Sequence, residues 1–81
     1  MLVKSSTVNR LSKYNQMMQK SKMDAVLYYI KIGEELIKLK ESVPHGQWEN
    51  ALSELSNVSP EFTFASRKQS AKYIKVAIQF R

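Results

Sequence analysis

The chain has 81 residues, no cysteine, 13 lysine and arginine residues against 7 acidic ones, and a formal net charge of +6. That length allows a single domain burying only about 60–65 % of its unfolded surface, so the stability margin is thin and a second copy or a partner would add to it. The lack of cysteine excludes a disulfide framework and a thiolate-ligated metal site, and no apolar run approaches the roughly 20 residues of a membrane span.

The charge is unevenly placed. Residues 1–23 carry five basic and no acidic side chains, residues 24–61 three basic and seven acidic, and residues 62–81 five basic and no acidic. Basic ends around an acidic middle fit a phosphate-collecting surface, because each neutralised phosphate releases a counterion. They fit a solvated surface equally well. The opening MLVKSSTVNR lacks the apolar stretch of a signal peptide, so the expectation is a soluble, cytoplasmic protein.

Residues 1–7 read as a flexible N-terminus to one helical domain spanning 1–81. Val8, Leu11, Tyr14 and Met18 then keep helical spacing behind Ser5, Ser6 and Thr7, any of which can cap, so a first helix is predicted near 8–21. From Met23 to Val43 two adjoining apolar stripes, one through Met23, Val26, Leu27, Ile30 and Ile37, make a wide apolar face. The polar strip beside it holds Glu34 and Lys38, an i,i+4 pair of the better orientation. This is the central helix, and Pro44 ends it by pushing Val43 out of the helical region.

Residues 43–52, VPHGQWENAL, gather the only histidine and the only tryptophan beside a proline and a glycine. His45 has no second ligand or carboxylate beside it in sequence, so its expected role is to cap or pack the corner, with Trp48 as the first core residue of a short helix. Trp48, Ala51, Leu52 and Leu55 share one face of that helix, two to three turns long. Two start signals follow: Ser59-Pro60-Glu61, and Ser66-Arg67-Lys68-Gln69 in capping-box spacing. The second is preferred, giving a single turn and then a last helix over about 67–80. The fold expected is all-α, a small bundle of four to five helices.

In the last helix Ser70, Ile74, Ala77 and Ile78 form an apolar side, broadened by Tyr73, Val76 and Phe80. Lys68, Lys72, Lys75 and Gln79 run along the other side. Arg67 and Gln69 fall in the first turn, where a helix offered end-on to a major groove can place arginine on guanine and glutamine on adenine. Arg67, Lys68, Gln69, Lys72 and Lys75 are therefore the candidate DNA-binding residues, with Tyr73 in reach of a phosphate. Lys4, Arg10 and Lys13 are candidate additional phosphate contacts.

The run IGEELIKLKESVPHGQWENAL, followed by AKYIKVAIQF, resembles a family of small helical proteins of uncharacterised function from phages, plasmids and mobile elements. The resemblance rests on Ile32, Gly33, Leu36, Lys40, Pro44, His45, Gly46, Trp48 and Tyr73 through Ala77, and covers about residues 30–80. It implies that the last two helices form a helix-turn-helix with 67–80 as recognition helix. The chain departs from the family pattern at Ala51, where a second aromatic is usual. A second departure is a longer stretch between Trp48 and Tyr73, the extra residues falling around 57–65, where a tight turn belongs; SPEFTF there, with Phe62 and Phe64, is either an added packing turn or a protruding apolar element.

Two functions follow. The first is a DNA-binding regulator of a phage or mobile element, dimeric because one recognition helix buries too little surface for tight binding. The second is a small phage protein that inhibits a host protein such as a nucleic-acid enzyme, its partner surface drawn from Met17, Met18, Phe62 and Phe64. One histidine, one aspartate and no cysteine offer neither a nucleophile–base pair nor a metal cluster, so no enzyme, cofactor or metal is expected.

Overall fold

The computed structural model describes residues 2–21 and 23–80. It is all-α, with four helices: α1 Ser5–Lys20, α2 Ala25–Ser42, α3 Trp48–Val58 and α4 Arg67–Gln79. Helix α2 is the spine, packing against both α1 and α4. Its wide apolar face makes this possible, with Ile32, Leu36 and Leu39 buried together with Leu11 of α1, Leu52 and Leu55 of α3, and Tyr73 of α4.

The α2–α4 crossing depends on Gly33. A Cβ there would collide with the Tyr73 carbonyl oxygen and lie 2.7 Å from the Ala77 Cβ, so the two backbones meet because one residue has no side chain and the other only a methyl. Tyr29 stacks on Tyr73 at a centroid separation of 3.8 Å beside this crossing. Burial, with neighbouring Tyr73 as the lesser cause, raises the Tyr29 pKa above the ordinary phenol value.

The N-terminal segment is docked, contrary to the flexible tail expected for residues 1–7; Met1 lies outside the described residues. Val3 is buried, and the Leu2 and Val3 backbone N–H groups donate to the two carboxylate oxygens of Glu54 on α3 at 3.0 and 3.1 Å. So anchored, the chain enters α1 earlier than predicted. Lys4 stands at the N-cap without a side-chain cap bond, while Ser5, Ser6 and Thr7 lie inside the first turn rather than capping it. Arg10 of α1 donates to Glu35 of α2 at 3.0 Å, which neutralises a buried carboxylate.

Pro44 ends α2 as expected, with the Val43 N–H still bonded to Leu39. Gly46 follows at φ +85, a left-handed conformation that glycine adopts without cost, and the Gln47 N–H closes the turn onto the Pro44 carbonyl. Residues 59–66 then link α3 to α4. The Ser59-Pro60-Glu61 signal starts a turn, not a helix: the Ser59 hydroxyl accepts from the Glu61 N–H and the Ser59 carbonyl from the Phe62 N–H. Phe62 and Phe64 both enter the core, with rings 4.9 Å apart. Residues two apart cannot share a face of an α-helix, so burying both requires a non-helical path. Asn15 of α1 pins this path by donating to the Glu61 carbonyl at 3.3 Å.

A candidate nucleic-acid interface on the last helix

Helix α4 begins where the capping signal placed it. The Ser66 hydroxyl accepts from the Gln69 N–H at 3.2 Å, and Ser66 itself is extended, as an N-cap should be. Ser70, Tyr73 and Ala77 seat the helix in the core, and Ile74 packs against the same cluster. That orientation turns Lys68, Lys72 and Lys75 outward, and all three are exposed. Among the described residues none of them has a carboxylate within ion-pair distance. No acidic residue lies within α4, so the charges on its outer face are all positive.

Arg67 is exposed at the start of α4 and pairs with Glu49 of α3 at 3.2 Å. Both side chains are largely in solvent, so the pair is worth about 0–1 kcal/mol and gives way readily to a phosphate. Gln69 is half-buried, with its backbone at the cap. Tyr73, expected to reach a phosphate, is instead a core residue stacked on Tyr29, because its place opposite Gly33 is where the two helices touch.

The N-terminal cations occupy a different place. Lys4 and Arg10 line a cleft of about 350 Å³ with Glu35 and Lys38, to which α4 contributes no residue. Arg10 is engaged by the buried Glu35 and so serves the fold. Lys4, at the N-cap of α1, and Lys13 within that helix are exposed.

The corner at 44–47 lies beside this surface. His45 is exposed and makes no hydrogen bond among the described residues, so it neither caps nor packs the turn. Trp48 is half-buried against the core rather than plugging it, with the Lys40 ammonium 5.8 Å from its ring centre. Together Gly46, Trp48 and Glu49 border a hollow with Arg67, so the corner adjoins the start of α4. A larger polar groove, about 380 Å³, runs between α3 and α4 and includes Ser53, Ser56, Asn57, Ser66 and Arg67. Glu49 and Ser53, on the polar side of α3, form its wall together with Ser56 and Asn57 at helical spacing.

Of the expected partner-surface residues, Phe62 and Phe64 are core and present nothing to a partner. Met17 is partly exposed and Met18 half-buried. Residues 59–66 are longer than the turn of three or four residues in a helix-turn-helix. Among the described residues no group of three histidine, cysteine, aspartate or glutamate side chains could hold a metal ion, and no helix is long and apolar enough to cross a membrane. No protein-family model, curated protein or solved structure matches the chain.

Proposed function

We propose that the chain binds DNA through the outer face of α4, as a small regulator of the kind its resemblance to phage and mobile-element proteins implies. The observation that carries this reading is the unpaired cationic row of Lys68, Lys72 and Lys75 on a helix whose opposite face is fixed in the core. A rigidly seated helix holds its cations at constant spacing, and phosphate neutralisation by such a row supplies most of the affinity for a duplex. Arg67 and Gln69, at the leading end, are the residues in reach of base edges, where arginine matches guanine and glutamine matches adenine. Ser53, Ser56 and Asn57 across the groove supply neutral donors to the flanking backbone. Two copies related by a two-fold axis would offer two such helices to a palindromic site.

The inhibitor reading loses one of its supports, since Phe62 and Phe64 are withdrawn into the core. The deciding experiment is fluorescence polarisation of a labelled random duplex at low salt. Binding is expected for the wild type, with at least a tenfold loss in Lys68→Ala/Lys72→Ala. An affinity unchanged in that variant removes α4 as the interface.

A further inference from the structure

One apolar face remains uncovered at the opposite edge of α4. Met18, Ala25, Val26, Tyr29 and Val76 enclose a shallow hollow of about 260 Å³ where the end of α1, the start of α2 and the second half of α4 meet. Around it stand apolar side chains that the fold leaves in water: Val26 is 64 % exposed, Met23, just before α2, 94 %, and Phe80, one turn beyond Val76, 65 %. The exposed surface of these three side chains is roughly 400 Å². That is within the range of the largest patch on a typical monomer, and about half of the ~800 Å² per partner in a stable interface.

We infer that this face is the contact between two copies of the chain. Hollow and protruding side chains lie on one surface with the same apolar chemistry, so a two-fold axis can seat Met23 or Phe80 of each copy against the hollow of the other and close the assembly at two. The rim charges suit the same arrangement. Asp24 stands beside Met23, while Lys20 ends α1, so each copy presents both signs to its mate. The gain is largest for a chain this short, whose own core is small. The contact stands on the apolar face alone and adds to the DNA-binding reading without depending on it.

Sedimentation velocity on the whole chain, from about 1 to 100 µM, tests it. The wild type dimerises in that range, and Val26→Glu or Met23→Lys each raises the dissociation constant at least tenfold. Ile78→Glu, an exposed apolar position on the other flank of α4, leaves it unchanged. Met23 is nearly free of protein contacts, so its variant decides the matter even if Val26→Glu perturbs folding by circular dichroism. Lys68→Ala/Lys72→Ala stays dimeric while losing DNA, which separates this contact from the duplex interface. A wild type that is monomeric at 100 µM, a dimer indifferent to both substitutions, or one broken by Ile78→Glu overturns the inference.

Discussion

Replacing Gly33 with alanine isolates the contact that sets α4 on the body. At an exposed mid-helix position this change stabilises by about 1 kcal/mol, because alanine is the better helix former. Here the added methyl would meet the Tyr73 carbonyl oxygen, lie 2.9 Å from its carbonyl carbon and 2.7 Å from the Ala77 Cβ. The obstacle is mostly backbone, which cannot rotate away, so relief requires α4 to shift. Overpacking of this kind costs about 1–3 kcal/mol, and a backbone obstacle places it at the upper end. The net effect is a loss of about 1–2 kcal/mol, which at about 4–8 °C per kcal/mol for a domain this size lowers the melting temperature by roughly 5–15 °C. Thermal unfolding followed at 222 nm measures it. A Gly33→Ala variant that melts higher than wild type would refute the close crossing and, with it, the orientation of the cationic row.

Phe64 is fully buried while Trp48 is half-buried, so Phe64→Ala should cost about 3–5 kcal/mol and Trp48→Ala clearly less; urea titrations that reverse the order would contradict the packing described for the corner. Arg10→Ala leaves the buried Glu35 carboxylate unpaired and should destabilise by more than the about 0–1 kcal/mol expected for Arg67→Ala, whose partner Glu49 stays in water; equal midpoints in denaturant would count against a structural role for Arg10. The Leu2 and then the Val3 backbone N–H hold the Glu54 carboxyl below its ordinary pKa. A folded-state pKa lower than the unfolded one adds stability above the unfolded value and loses it as pH falls through the folded one, so the clip on the N-terminal segment weakens in acid. Stability measured from neutral pH down through the carboxylate range should fall less steeply in Glu54→Gln than in wild type, and identical slopes would show that the clip does not form.

Much of this architecture is legible in the chain because its signals are local. The apolar periodicity of α2, the proline that ends it, the face of α3 and the Ser66 cap each depend on residues within a few positions of one another. The N-terminal segment was not legible, since Glu54 lies about fifty positions from Leu2 and Val3 and nothing in MLVKSST announces a clip. Phe62 and Phe64 read either as an added packing turn or as a protruding pair, because a two-residue spacing in a turn-rich stretch says that both point the same way, but not toward what. Gly33 carried a usable signal: a glycine inside a strong helical pattern is destabilising unless something packs against it. Tyr73 was ambiguous by nature, with a ring suited to the core and a hydroxyl suited to a phosphate, and only the position of α4 resolves it. The cationic row was visible in full, whereas the buried Glu35 that claims Arg10 was not, because that carboxylate reads in sequence like its neighbour Glu34 in the exposed strip.

The salt dependence of duplex binding tests the central claim most directly. If Lys68, Lys72 and Lys75 each neutralise a phosphate, log K falls linearly with log salt at about −0.9 per contact, and Lys68→Ala/Lys72→Ala flattens the slope by close to two such contacts. Removing Lys13 on α1 should change the slope by less. Binding too weak to measure at low salt, or a slope that stays the same when both lysines are removed, would contradict the assignment of α4 as the surface that meets DNA.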